Sequence, residues 1–394
     1  MSNSAKLGDI ANISSGGTPS RSNPKYWNGN IPWVKTTQIQ NCAITPNDVD
    51  EWITDEGLRN SSARLVLKGS LLIAMYGQGK TRGQVAILGF DAAINQACAA
   101  IQLKQGVDLN FIYHQLLHKY SEIRRLSNSG SQENLNASLI RGIRLYLPNT
   151  EKQFSISKLL DTWDKGIEKS EALIKAKEIQ YEWLAHSLIS ENCPHWKHYL
   201  AKELFINISS KGHPDEELLS VTQDRGVIPR TMLKGRVMSP AGSTAGYKLV
   251  EKGNFVISLR SFQGGLEYSA HRGIVSPAYT ILAAKKEIST DFYRHFFKSY
   301  IFVQKYLSVA VVGIRDGKQI NSKDFDTVKI PYPVLDEQVA IAKKLDTAQQ
   351  EIELLKITLE KYRLQKRGLM QKLLTGEWQA PSQSNEEILK EVKT

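Results

Sequence analysis

The sequence predicts an α+β molecule, with two mixed α/β globular domains joined by two long helices. Those helices are expected to form an antiparallel coiled coil, so that the whole chain carries a pseudo-twofold internal repeat. Three observations predict this. A short string recurs between the halves, a constant offset of 185 residues aligns the end of each half, and that offset also superposes two heptad series.

The repeated string is NISS, at 12–15 and again at 207–210. Lys68-Gly69 followed by Leu71-Leu72-Ile73 is echoed by Lys252-Gly253 followed by Phe255-Val256-Ile257. Further on, Leu135-Asn136 meets Ile320-Asn321, and Ile143-Arg144-Leu145 meets Val328-Lys329-Ile330. Pro148, Gln153 and Asp161 meet Pro333, Gln338 and Asp346.

After each of those prolines the pattern becomes helical. The first a/d series runs Ile156, Leu160, Trp163, Ile167, Ser170, Ile174, Lys177, Tyr181, Leu184 and Leu188. The second runs Ile341, Leu345, Ala348, Ile352, Leu355, Leu359, Tyr362, Lys366, Leu369 and Leu373. Steps of four and three alternate in both, which is the spacing of a coiled-coil seam. Proline is tolerated just ahead of a helix, where the missing N–H costs nothing. Gly376 is a natural stop for the second helix, and the internal Gly166 and Gly368 fall off the seam. A helix of ~40 residues is roughly 60 Å long. Neither can bury its stripe on a small domain alone, so pairing with the other is the economical solution. Docking of each helix on its own domain is the alternative.

The blocks between the helices read as strands and loops. Ser70–Met75, Val85–Leu88 and Ala97–Ile101 are strand-like in the first, Phe255–Leu259 and Tyr279–Leu282 in the second. A helical stretch closes each, Phe111–Leu126 and Phe292–Leu307. The domain plan is therefore 1–150, a first domain; 151–190, the central helix; 191–335, a second domain whose opening stretch 191–200 links the modules; 336–378, the C-terminal helix; and 379–394, a polar tail.

Composition bounds the function. With 41% hydrophobic and 23% charged residues the chain is ordinary globular protein. No run approaches the ~18 apolar residues of a membrane span, and Met1–Lys6 lacks the order of a signal peptide. Cys42, Cys98 and Cys193 form no Cys-x-x-Cys pair, so a reducing cytoplasm is the expected compartment. The net charge of +11 is unevenly spread. Residues 1–150 hold 15 Lys+Arg against 10 acids, and 191–335 hold 20 against 13, while 151–190 and 336–394 balance at 6 against 7 and 10 against 10. Two basic blocks point to a polyanion.

Catalytic motifs are missing. AMYGQGKT (74–81) imitates a phosphate loop, but a strand-like GQVAIL follows it and not a helix, and Ala74 replaces the first glycine. The same Gly77-x-Gly79 imitates a methyl-donor loop, yet none of the 13 prolines adjoins another, which excludes the Pro-Pro motif of an amino-methyltransferase. Cys193, His195 and His198, with His186 nearby, match no standard zinc spacing, so no metal is expected. No catalytic residue is assigned.

DNA reading requires cations for phosphates and Arg or Gln for base edges. The first block offers Arg21, Lys25, Tyr26, Trp27, Lys35, Gln78, Lys80, Arg82 and Gln84. The second offers Arg225, Arg230, Lys234, Arg236, Arg260, Gln263, Arg272, Arg315 and Lys318.

In LGDIANISSGGTP (7–19), IPWVKTTQI (31–39), AAINQACAAI (92–101), SQENLNASLIRGIRLYLP (131–148) with the KQ after it, INSKDFDTVKIPYP (320–333), DEQ (336–338) and LMQKLLTG (369–376), the chain resembles the specificity (S) subunit of type I restriction–modification systems. The resemblance covers the chain to about residue 378. It implies two target-recognition domains, each reading half of a split site in double-stranded DNA, on a non-catalytic subunit. It further implies recruitment of two methyltransferase (M) subunits and, through them, restriction (R) subunits. S-adenosylmethionine, ATP and Mg²⁺ would be bound by those partners, leaving no cofactor on this chain. The segments 76–91 and 260–272 differ, which implies an asymmetric site, with the helices acting as a ruler that sets half-sites about one turn apart. A single-chain methyltransferase with recognition function, and a coiled-coil scaffold binding protein only, are the alternatives.

Overall fold

The computed structural model describes residues 4–77, 79–126, 134–189, 195–233, 244–258, 261–307, 320 and 322–379. The chain divides into two compact units, Met1–Ser170 with Thr358–Thr394, and Glu171–Ile357. The division falls within both long helices, Thr150–Ile189 and Leu335–Leu373.

The first unit is built on a five-stranded sheet in the spatial order Ala11–Ser15, Cys98–Leu103, Leu71–Ala74, Val85–Leu88, Cys42–Ile44. All pairs are antiparallel but the last. Leu71, Ile73 and Val85 face one core, shared with Phe111, Ile112 and Leu116 of the closing helix. Leu72, Ala74 and Ala86 face a second core. This is the two-sided alternation of a sheet buried on both faces. A further four-stranded sheet runs Trp52–Ile53, Trp27–Val34, Ala92–Ile94, Leu65–Val66.

The second unit repeats the plan with Phe205–Ile208, Thr280–Ala284, Phe255–Ile257 and Glu267–Tyr268 in order. Val256 pairs with Glu267 where Leu72 pairs with Ala86. Its core is aromatic: Phe205, Phe255, Phe292, Tyr293, Phe296, Phe297 and Phe302 are buried together. In each unit a two-stranded ribbon joins the start of the module to the strand before the long helix. Ser4–Lys6 pairs with Arg144–Tyr146, and Lys197–Leu200 with Lys329–Tyr332. The end of the stretch 191–200, which reads as a link in sequence, is thus a strand, fastened by the edge-to-face pair Tyr199–Tyr332 at 5.3 Å.

The closing helices are shorter than their periodicity suggests. The first breaks at Lys119 into Leu109–His118 and Tyr120–Leu126. In the second, Thr290–Phe296 ends and a π-helical turn, Phe302–Tyr306, follows. The cause is Ser299, whose hydroxyl donates to the Phe296 carbonyl at 2.7 Å and accepts from the Phe302 N–H at 3.2 Å. Such local bonds compete with the helix ladder.

The long helices pair antiparallel within each unit. In the first, Ile156 and Leu160 bury with Leu369, Leu373 and Leu374, Trp163 meets Tyr362 edge to face at 5.8 Å, and Asp164 pairs with Lys366. In the second, Tyr181, Leu184 and Leu188 pack with Ile341 and Leu345, Lys177 pairs with Glu351 at 2.8 Å, and Glu178 with Lys356 at 2.6 Å. Of the twenty seam positions only Tyr362 is exposed, at 38%. The helices thus pair with each other, and Ile156, Leu160, Ile341 and Leu345 bury at the same time in the core of the module beside them. Gly376 takes φ +78° where a Cβ would strike the Tyr146 ring at 2.7 Å, so the chain turns there at a residue that only glycine supplies. Among the described residues no helix is long and apolar enough to cross a membrane.

Candidate nucleic-acid interface

The residues at offset 185 build the same joint in both units. Gln153 and Gln338 are buried; each donates from its amide to the carbonyl of the proline five residues before, at 2.8 Å. The amide oxygens accept from the backbone N–H of Asp108 (3.0 Å) and Ser289 (2.8 Å). Asp108 and Ser289 are the caps of the two closing helices. Six residues past each cap, His114 and His295 reach Asp161 (2.8 Å) and Asp346 (2.5 Å) on the long helices. Burial pushes the His295 imidazole below its ordinary range, against the pull of Asp346, and its Nδ1 lies 2.8 Å from the Tyr181 hydroxyl. His114, Asp161 and Asp164 have oxygen and nitrogen atoms within 4.8 Å of one another. The ammonium of Lys366 sits on Asp164, and only the His–Asp pair recurs in the second unit.

The joint presents the loops. In the first unit, Leu71–Ala74 and Val85–Leu88 pair as a hairpin closed by the Gly83 N–H on the Ala74 carbonyl at 2.9 Å, so the Gly-Lys-Thr motif leads into a strand and opens no helix. Tyr120 donates its hydroxyl hydrogen to the Lys80 carbonyl at 2.5 Å, and Arg124 donates to the Gly79 carbonyl at 2.7 Å. Lys80 is exposed; Arg82 and Gln84 are half-buried at the foot of the loop. Lys119 and Arg125 line an open cleft of 600 Å³ with Arg144, and Arg125 also lines a second beside Lys80. These helix cations were not singled out from sequence; only an Arg-Arg pair in a helical stretch hinted at them.

Elsewhere in that unit the guanidinium of Arg21 stacks 3.9 Å over Trp27 and 4.9 Å from Trp33, and pairs with Glu51 at 2.5 Å. Lys35 pairs with the same carboxylate at 2.6 Å and with Asp50 at 2.9 Å. Against its burial, the two cations hold the Glu51 carboxyl below the usual range. Arg21 and Lys35 therefore carry charge already offset locally, whereas Lys25 is exposed beside half-buried Tyr26 with no salt bridge among the described residues.

In the second unit the hairpin Leu219–Thr222/Gly226–Pro229 displays Arg225 at its turn, where it donates to the Met232 carbonyl at 3.2 Å. Arg230 follows, half-buried, and Gln263 is exposed on the short helix Ser261–Gly264. Arg272 is held by Glu216 at 2.9 Å and Glu251 at 2.6 Å. Gln78, Lys234, Arg236, Arg260, Arg315 and Lys318 lie outside the described residues, as do Cys193 and most of the tail 379–394. His195 sits 3.3 Å from Glu337, which also accepts from the Trp196 indole at 3.0 Å.

Two sheet-built modules, each hung on a paired long helix by an identical joint while their surface loops differ, define a protein that presents two dissimilar faces from one repeated frame. The profile of the type I restriction–modification DNA specificity domain matches residues 2–178 and 240–361, and the chain belongs to that family. It is 25% identical over 197 residues to the EcoR124I/EcoR124II specificity subunit of Escherichia coli, covering 47% of each. It is 25% identical over 268 residues to the putative MjaX specificity subunit of Methanocaldococcus jannaschii, covering 62% of each. The matches thus span between about half and three-fifths of these relatives. Among solved structures, a chain from work on complex assembly and conformational transition of the type I R-M system superposes with TM-score 0.62 at 16% identity, covering 95% of this chain and 98% of that one. The S subunit from M. genitalium gives 0.53 at 14%, covering 94% and 95%. These likenesses show the fold, mixed helix and sheet in a repeated arrangement.

Proposed function

We propose that this chain is the non-catalytic, sequence-specific DNA-binding subunit of a type I restriction–modification complex. Each module reads one half of a split, asymmetric site in double-stranded DNA. The observation that carries this reading is the contrast between the joint and the loops. Pro-x₄-Gln and the His–Asp pair are the same in both units, while the loops above them share no pattern. A frame kept twice with two different faces suits two different half-sites. Exposed Lys25, Lys80 and Arg225 supply phosphate contacts.

Recruitment of two methyltransferase subunits, and of restriction subunits through them, is supported by a repeated apolar exposure. Phe154 and its counterpart Val339 are 50% and 51% exposed, and Ile179 and its counterpart Leu364 are both 59% exposed. Within this reading S-adenosylmethionine, ATP and Mg²⁺ belong to the partners, and the chain works in the cytoplasm. Titration of the full chain against duplex DNA between low and moderate salt tests the proposal. Affinity is expected to fall by about 10³-fold or more between 50 and 200 mM salt if six or more phosphates are contacted. A protein-only scaffold would show no such slope.

A further inference from the structure

The second unit contains an ion pair on a buried carboxylate that its sister does without. Glu267, on the edge strand, is 1% exposed, and its Oε1 accepts from the Lys298 ammonium at 2.6 Å. Lys298 also donates to the carbonyls of Gln223 (3.1 Å) and Gly264 (3.0 Å). The approach of that loop depends on Gly265, at φ +75°, where a Cβ would lie 1.7 Å from the Phe297 carbonyl oxygen. In the first unit the strand position matching Glu267 is Ala86, by register with Leu72. The position matching Lys298, just past the end of its helix and counted from the caps Asp108 and Ser289, is Leu117. The frame therefore closes with alanine and leucine at these places. The Lys298 side chain is 32% exposed, so it is the Glu267 carboxylate that bears the cost of leaving water, a cost the apolar pair of the first unit does not incur.

The other carboxylate oxygen gives the reason. Oε2 of Glu267 is buried and has no partner among the described residues. Glu267 lines a cavity of 580 Å³ with Thr222, Gln223, Asp224, Ser258 and Tyr279, beside the hairpin turn that displays Arg225. Burial pushes the Glu267 carboxyl above its usual range, against the pull of Lys298, with the charge of Asp224 adding to the rise. An acceptor left unmet in a polar cavity costs free energy until a donor enters.

We propose that Glu267 is a specificity-determining residue of the second module, and that its unpartnered oxygen accepts a hydrogen bond from the exocyclic amino group of a DNA base. Two bases offer such a donor in the major groove, cytosine through N4 and adenine through N6; guanine and thymine present acceptors at the corresponding edge. Asp224, which lines the same cavity, repels the same acceptors. The inference rests on the DNA-reading function proposed above.

The test selects bound duplexes from a randomised pool with the full chain, then titrates the selected duplex. The second half-site is expected to hold cytosine or adenine at one position. Replacing that base by its amine-free analogue, 2-pyrimidinone for cytosine or purine for adenine, should weaken binding roughly 5- to 100-fold and identify which base is read. The double variant E267A/K298L, which copies Ala86 and Leu117, should keep its circular dichroism and its preference at the first half-site. It should lose the preference at that one position, and the analogue should cost it nothing further. Should that variant fold poorly, E267Q keeps the side chain's size and is expected to lose the preference in the same direction. Unchanged preference in a folded variant, or analogues bound as tightly as the natural base, overturns the role of Glu267 while leaving DNA reading intact. Absence of any sequence preference in the unaltered chain overturns both.

Discussion

Gln338 illustrates how single residues hold each module to its helix. It is fully buried, and its one amide serves two backbone groups, the Pro333 carbonyl and the Ser289 N–H. Truncation to alanine removes both bonds. Each unmet buried group costs about 1–3 kcal/mol, so Gln338→Ala should destabilise the second unit by roughly 2–5 kcal/mol, and Gln153→Ala the first by a similar amount. Urea unfolding followed by tryptophan fluorescence measures this; equal stability of Gln338→Ala and the parent would refute the joint. Sequence comparison exposed the two glutamines and Asp161/Asp346, because they keep the offset of 185. It did not expose His114 and His295, which are separated by 181, since the loops between them and the long helices differ in length. Only the folded chain brings the pairs within hydrogen-bond distance.

At the scale of the element, the long helices divide their apolar residues between two duties. The a/d positions face the other helix, as coiled-coil periodicity requires. Off that seam remain Ile179 and Leu364, matched between the halves and equally open to solvent. Isolated exposed apolar residues are ordinary on a protein surface, but exposure at equivalent positions of two modules fits two copies of one partner. Ile179→Asp or Leu364→Asp alone should remove one methyltransferase subunit from the assembly, and the double variant should remove both. Native mass spectrometry reads the stoichiometry, and a full complement bound to the double variant would sink the idea. Neither change touches the seam, so the helical circular dichroism should hold. The heptads were legible in sequence because a helix imposes its period locally. The break at Lys119 and the π turn after Ser299 were not, because capping and side-chain bonds decide them one residue at a time.

For the whole molecule, the proposed function requires that two half-sites be kept a set distance apart. If the long helices are the spacer, lengthening one should lengthen the unread gap. Four residues added near Lys175 extend a helix by about 6 Å, close to the rise of two base pairs at ~3.4 Å each. The preferred gap, found by selection from duplexes with randomised spacing, should grow by one or two base pairs. An unchanged gap would remove the ruler role.

The sequence by itself determined the frame: two modules, two heptad helices, and the prolines and glutamines that begin them. These follow from periodicity and from a repeat, both of which are local or self-referential and need no knowledge of contacts. The tertiary structure alone decided the chemistry of the faces. Charge counts made Arg21, Lys35 and Arg272 equal to Lys25 and Lys80, yet folding places carboxylates against the first three and leaves the others in solvent. Likewise Gln223, Glu267 and Lys298 are far apart in sequence, and they meet only because a glycine lets one loop touch the end of a helix. Electrostatics act through space, so the partner of each charge is set by the fold and not by its neighbours in the chain.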